Sequence, residues 1–377
     1  MQKLGVGIIG CGNISAAYLK LGPLFKSLDM RAVADINMDA AQARADEFGV
    51  RAQTVDDLLA ADDIDVIVNL TIPDAHFAVT KRILEAGKHA YSEKPFVLTL
   101  EQGEILRALC ADKGLRVGSA PDTFLGGAHQ QARNIVDAGS VGRIVAGTAH
   151  VMSCGMEHWH PNPDFFFLPG AGPVLDIGPY YVTNLVQLIG PVKRVAALTT
   201  SASETRTILT PGPRQGEKIP VKTPTNIHAL LEFENGATIT LSTSWDVRAH
   251  RHAPMELYGT EGSLFVPDPN FFGGKLEIAS RDGAITEVTP WEHPFGVPNQ
   301  GEGDAARANY RASGLADMAQ GIAEGRPHRC SLELALHAVD VMTAILKSGE
   351  TGTFVDLSTT CDRPAPLTAD DARDLMN

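Results

Sequence analysis

The chain has 377 residues, 44% of them hydrophobic and 20% charged, with a formal net charge of -13. That length exceeds what one average core fills, so two domains are expected. The acidic balance excludes long-range attraction to nucleic acid or anionic lipid, and no window approaches the apolar run of about 18 residues that a membrane span needs.

Taken in chain order, the start MQKLGVGIIG passes straight into a strand-like run without a basic region or a small-residue cleavage site, which predicts a cytoplasmic protein. The five cysteines are scattered and form no CxxC pair, as expected of reduced thiols. From residue 4 to about 119, short Val- and Ile-rich runs (LGVGII, MRAVA, DVIVNL, HAYS, RVGSA) alternate with amphipathic stretches. This is the pattern of a doubly wound α/β sheet with parallel strands.

The first loop, GCGNIS, carries Gly10 and Gly12, with Ser15 where a third glycine is usual. It follows an apolar strand and opens a helix-like segment, the context a dinucleotide fingerprint requires. Gly10 permits the turn, Gly12 lets the backbone approach a pyrophosphate, and Asn13 and Ile14 begin a helix whose amino end supplies free N–H groups. Asp35 ends the second strand 20 residues after Ser15, where a carboxylate meets the adenosine ribose and repels a 2′-phosphate. No Arg or Lys follows it directly, so NAD is expected rather than NADP. Helix capping is the alternative role for Asp35.

In such sheets ligands lie beyond the carboxyl ends of the strands. The fourth strand runs into Thr71-Ile72-Pro73-Asp74-Ala75-His76, and the fifth into Glu93-Lys94-Pro95. Thr71, Pro73, His76, Glu93 and Lys94 are therefore candidate cofactor contacts. The Lys94 ammonium is also a candidate to bind a substrate hydroxyl. Asp122, after the sixth strand, is a candidate substrate contact, with a helix cap as its simpler role.

Beyond about residue 140 the pattern changes to hairpins, turning at Asn235-Gly236, around Gly259 to Gly262, and at Asp282-Gly283. They predict a second, α+β domain with a large, mainly antiparallel open sheet, the boundary falling between residues 122 and 123. The Pro-, Thr- and Gly-rich stretch from Ser203 to Thr225 reads as a mobile loop. CGMEHWHPNPDFFF, residues 154 to 167, holds Cys154, Glu157, His158 and His160, but its spacing matches no common zinc pattern and no metal is expected. Trp159 and His160 are instead candidate substrate contacts, since a sugar face stacks on an aromatic ring. His250 and His252 read as structural or solvated. Pro179 suits a first helical turn, which would set Asp176 and Tyr180 together at a helix start.

With GCGNIS, Asp35, the 71 to 76 stretch, EKP at 93 to 95 and LDIGPYYVTNLVQLIG at 175 to 190, the whole chain resembles the Gfo/Idh/MocA oxidoreductases. The resemblance implies oxidation or reduction of a secondary alcohol or lactol on a sugar, polyol or related molecule with NAD or NADP. It places Lys94 against substrate and nicotinamide, with a cis Lys94-Pro95 bond, and implies a homodimer or homotetramer. Many members carry DxxxH with a catalytic histidine. Here Tyr180 stands at that place, as in branches resembling glucose-fructose oxidoreductase and dimeric dihydrodiol dehydrogenase. A neighbouring ammonium lowers a phenol's pKa from about 10, so Tyr180 is the expected proton carrier and Asp176 an orienting group. Two alternatives remain open, a redox-neutral glycosidase acting through transient oxidation with bound NAD, and a non-catalytic NAD-binding sensor.

Overall fold

The computed structural model describes residues 3–377. The first 130 residues form β1 (Leu4–Ile9), α1 (Asn13–Leu21), β2 (Leu28–Ala34), α2 (Met38–Phe48), β3 (Arg51–Gln53), α3 (Val55–Ala60), β4 (Val66–Asn69), α4 (Pro73–Glu85), β5 (His89–Ser92), α5 (Leu100–Lys113) and β6 (Val117–Ser119). The strands are all parallel, in the order β3-β2-β1-β4-β5-β6. Both faces of such a sheet are covered, which is why β4 (VIVN) is buried at every position and β1 at all but its first. Three of the helices, α2, α3 and α5, begin at side-chain caps: Asn37 accepts from the Asp39 N–H, Thr54 from Asp57 and Thr99 from Gln102. Order reverses between β1 and β4, so the ligand crevice of this fold lies at the glycine loop.

After α6 (Gly127–Asp137) come β7 (Ile144–Met152), α7 (Pro173–Asp176), α8 (Gly178–Ile189), β8 (Val192–Thr200), β9 (Thr205–Thr207), β10 (Lys218–Pro220), β11 (Asn226–Phe233), β12 (Thr238–Ser244), β13 (Met255–Gly259), β14 (Ser263–Val266), β15 (Glu277–Ala279) and β16 (Ile285–Glu287). Eight strands, β8, β11 to β16 and β17 (Val355–Asp356), join β7 in a nine-stranded sheet of order β16-β15-β14-β13-β7-β12-β11-β8-β17. Every neighbouring pair is antiparallel except β12 with β7. The three expected hairpins are present. Gly236 (φ 84°) and Gly283 (φ 83°) take the left-handed turn positions, and Asn235 and Asp282 accept from the N–H two residues on.

The stretch from Ser203 to Thr225 is not a loop throughout, as its composition suggested. Its β9 and β10 pair antiparallel, and Ile208 and Ile219 bury beside Met156, Phe167 and Trp245. Two β-branched side chains with a local core to fill outweigh the breaker residues around them.

The last third adds α9 (Ser313–Glu324), α10 (Leu332–Thr351) and α11 (Ala369–Leu375). Contacts group the chain into two compact units, one holding the residues up to Gln130 with Glu292–Val339 and Pro364–Asn377, the other Gln131–Trp291 with Asp340–Arg363. Chain order, from which a boundary after residue 122 was expected, does not reveal that late segments rejoin the first unit. Among the described residues, no helix is long and apolar enough to cross a membrane.

Candidate active site

The glycine loop is built by backbone needs. Gly10 sits at φ 104°, and a Cβ there would lie 2.5 Å from the Leu70 carbonyl oxygen. At Gly12 a Cβ would meet nothing within 4 Å, so the loop's outer side is open to a ligand approaching at backbone distance. Asn13 and Ile14 begin α1 directly after it. Asp35 is fixed beside this loop: one carboxylate oxygen accepts the Cys11 N–H at 2.7 Å, the other the Asn37 N–H at 2.9 Å. Its carboxylate thus faces the loop, while capping of α2 falls to Asn37. Ile36, 99% exposed, and Ile72, 66% exposed, flank the ends of β2 and β4 as apolar side chains open to an adenine. An open glycine cradle, a helix amino end, an acidic strand end and exposed apolar side chains fit a dinucleotide.

The next two strand ends are tied together. Asn69, wholly buried at the end of β4, accepts the Thr71 N–H and hydroxyl and donates to the His76 carbonyl, shaping the turn that Pro73 opens into α4. His76 is 1% exposed, with Nδ1 2.7 Å from the Pro95 carbonyl oxygen and Nε2 3.0 Å from that of Thr71. Burial holds its pKa below the usual histidine value, opposed by those carbonyls. Glu93 is 7% exposed; its carboxylate accepts the Lys94 N–H at 3.0 Å and the Tyr18 hydroxyl at 3.3 Å, and faces Arg311 at 3.7 Å. The Lys94-Pro95 bond is cis. His76 and Glu93, expected as cofactor contacts, are therefore buried groups engaged with protein partners, and they hold the segment that carries Lys94. Asp122 is likewise engaged inside the first unit, at 1% exposure. It accepts the Gly314 N–H at 3.2 Å and the Ser313 hydroxyl at 3.3 Å. Burial raises its pKa, against the pull of Arg311 and the Gly314 N–H. Its carboxylate thereby holds the opening residues of α9 and makes no cap bond to the turn that directly follows Asp122.

The second unit holds the other candidates. Asp176 closes α7 and Tyr180 lies in the first turn of α8, with Ile177 ending the one and capping the other, and Pro179 lacking the N–H that would continue the ladder. The expected single helix start is therefore two helices in succession, with Pro179 in the opening turn of the second. Tyr180 is buried. Buried Glu157 is an ion-pair partner of half-buried Arg206 at 3.1 Å, and Arg206 also binds Asp246. Beside it Trp159 is 61% exposed and stands edge-on to His160, whose ring meets Phe165 and Phe166 at 5.6 and 5.4 Å. Among the described residues, no group of three or more His, Cys, Asp or Glu side chains is placed to hold a metal ion. His252 stacks on His150 at 4.0 Å.

Residues 4–120 match a family described as "Oxidoreductase family, NAD-binding Rossmann fold", and residues 129–265 match the "GFO/IDH/MocA C-terminal domain". The chain belongs to the Gfo/Idh/MocA oxidoreductase family. Within it, the chain is 30% identical over 277 residues to the D-glucoside 3-dehydrogenase of Escherichia coli, covering 68% of this chain and 74% of that one. It is 25% identical to the levoglucosan dehydrogenase of Pseudarthrobacter phenanthrenivorans, over 95% of this chain and 99% of the relative. A levoglucosan dehydrogenase solved in complex with NADH superposes with a TM-score of 0.80 at 22% identity, covering 95% of this chain and all (100%) of that one, and so shares the fold.

Several residues placed around this candidate site were not singled out from the sequence. Asn69 carries no motif signal beyond being a polar residue at the end of an apolar strand. Ile36 and Ile72 could have been flagged as apolar residues placed directly after a strand end. Arg44, on α2, reaches the glycine loop and had no signal in the sequence at all.

Proposed function

We propose that the protein is an NAD-dependent dehydrogenase that moves hydride between a secondary alcohol or lactol of a sugar, polyol or glycoside and nicotinamide. The observation that carries this reading is the fixed EKP segment. Glu93 and His76 hold it at the end of β5, on the same sheet edge as the glycine loop and with only β4 between their strands. The names of the two dehydrogenase relatives, one acting on D-glucosides and one on levoglucosan, support a carbohydrate substrate. For NAD over NADP the support is Asp35, whose carboxylate faces the loop and is followed by Ile36, Asn37 and Met38 with no cation among them.

In this reading the Lys94 ammonium binds the reacting hydroxyl and stabilises the developing negative charge on its oxygen. Tyr180 takes the hydroxyl proton, Asp176 orients a neighbouring hydroxyl, and Trp159 with His160 offers the aromatic surface on which a pyranose face stacks. Bound nicotinamide supplies the acceptor for the hydride that leaves the carbinol carbon.

The test is a panel of sugars, polyols and glycosides followed at 340 nm with NAD and with NADP, on wild type, Lys94→Ala and Tyr180→Phe. Wild type turns over with NAD in preference to NADP, and each substitution lowers kcat/KM by about 10² or more. Unchanged turnover in both variants overturns the catalytic assignment. Release of a chromogenic aglycone without accumulation of NADH would mark a redox-neutral glycosidase instead, and saturable NAD binding with no turnover on any compound a sensor.

A further inference from the structure

The third position of the glycine fingerprint is normally small because α1 packs closely there, yet Ser15 occupies it and is wholly buried. Its hydroxyl donates to the Gly12 carbonyl oxygen at 2.6 Å. The same hydroxyl oxygen accepts from Nε of Arg44 at 3.2 Å, and Nη2 of Arg44 reaches the Gly12 carbonyl at 3.4 Å. Arg44 lies on α2, 29 residues along the chain from Ser15, and its remaining amino group pairs with Glu47 on its own helix. A guanidinium fork, a hydroxyl and one carbonyl thus form a closed three-way contact at the helix amino end.

We infer that Arg44, acting through Ser15, is a positioning residue for the pyrophosphate of the dinucleotide; this rests on reading the loop as the dinucleotide cradle. The physical argument has two parts. A trans peptide is planar, with its carbonyl and N–H pointing in opposite directions. Gripping the Gly12 carbonyl on the α2 side therefore aims the Asn13 N–H away from α2, toward the open side of Gly12. The guanidinium also sets a positive charge beside a helix amino end that is itself positive, an arrangement unfavourable until an anion arrives. Glu47 offsets part of this charge, and the rest is drawn on by a pyrophosphate. The charge is felt within the loop: burial and the Asp35 carboxylate push the Cys11 thiol up to about 11, and Arg44 pulls against them. Replacement of the third glycine is on this account coupled to Arg44, since Ser15 links the cation to the loop.

The experiment is equilibrium titration of the full chain with NADH and separately with ADP-ribose, at several salt concentrations. It uses wild type, Arg44→Gln, Arg44→Lys, Ser15→Ala and the Ser15→Ala/Arg44→Gln double variant. Arg44→Gln weakens both ligands by about tenfold, as loss of a charge-assisted contact predicts, and flattens the dependence of log Kd on log salt. Arg44→Lys keeps the salt dependence while recovering only part of the affinity, because an ammonium lacks the fork. The double variant loses less than the sum of the two single losses. Equal affinity and equal salt slope in wild type and Arg44→Gln overturn the proposal, as does strict additivity in the double variant. Should Arg44→Gln fail to fold, as judged by circular dichroism, Arg44→Lys and Ser15→Ala carry the test, and wild-type affinity in both overturns it. A wild type that binds neither ligand brings down the reading of the loop as a cradle, a distinct result.

Discussion

His76 has two ring nitrogens and faces two carbonyl oxygens, those of Pro95 and Thr71. A neutral imidazole has one N–H, and the shorter contact, 2.7 Å to Pro95, is the one at which the proton serves best. The ring thereby links the turn after β4 to the segment bearing Lys94, and its burial favours the uncharged form. Removing it leaves the buried Pro95 carbonyl without its donor, a cost of about 1–3 kcal/mol, and frees the lysine segment to shift. His76→Ala is expected to lower turnover at saturating cofactor about tenfold, since small displacements of a positioned group are costly in rate. His76→Gln, whose amide carries two N–H donors, recovers part of that. The sign of the pH effect follows from the lowered pKa. The unfolded chain takes up the proton first, so the contribution of His76 to stability is intact above the ordinary histidine pKa and is lost as pH falls from there toward the folded value. Urea unfolding at a series of pH values therefore shows the gap between wild type and His76→Ala narrowing on acidification. A gap that widens, or a variant of undiminished turnover, is the contrary result.

At the scale of an element, α9 shows why the first unit needs chain from far beyond its parallel sheet. The helix opens at Ser313 and Gly314, whose hydroxyl and N–H are received by the buried carboxylate of Asp122. A Cβ at Gly314 would lie 2.3 Å from the Tyr91 hydroxyl and 2.7 Å from the Cys330 sulfur. Tyr91 and Cys330 are both buried, so neither has room to retreat. In an open helix Gly→Ala gains about 1 kcal/mol; here Gly314→Ala is expected to lose about 1–3 kcal/mol in urea unfolding, because the overpacking term dominates. A stabilised variant would show that α9 does not sit as tightly as described. This dependence was not legible in the sequence. What could be read was local: Asn235-Gly236 and Asp282-Gly283 announce hairpins because positive φ selects glycine, and Gly10 announces a turn on the same ground. EKP could be placed at a strand end because the alternation of runs located β5. What escaped was set by distant partners. Pro95 lies 19 residues from His76 and Ser313 lies 191 from Asp122, and no periodicity encodes such pairings. The break at Ile177 escaped for a related reason, as Pro179 announces a first helical turn without telling whether Asp176 belongs to the same helix.

At the scale of the whole molecule, the nine-stranded sheet has one face filled and one unfilled. Ile227, Ala229, Leu231, Ile239, Leu241 and Leu257 point into the core of the second unit. Their neighbours along each strand point the other way, and the ladder register sets them in rows. Leu198 of β8 stands opposite His228 of β11, which stands opposite Ser242 and then His150, while Leu230 lies between Ala196 and Thr240. Leu198 is 74% and Leu230 48% exposed, and the few charges on this face are Arg194 paired with Glu232 and, further along the row of Leu230, Glu256 of β13. A broad, flat, weakly charged face with exposed leucines is of the kind that a second copy covers. We expect this face to join copies of the chain into a dimer or a tetramer. A stable contact needs upward of about 1,000 Å² in total, which a four-strand area can supply. Sedimentation velocity at micromolar concentration should then show an oligomer in wild type and a monomer in Leu198→Glu/Leu230→Glu, because two carboxylates desolvated against their symmetry mates are not offset by any cation in those rows. His150 adds a pH term of definite sign. Burial and the neighbouring His252 hold it below the ordinary histidine pKa, against the pull of Glu256, so this ring stays uncharged near neutrality and gains charge on acidification. Association should weaken as pH falls below that range, and a wild type that sediments as a monomer at neutral pH would show that this face is not where copies meet.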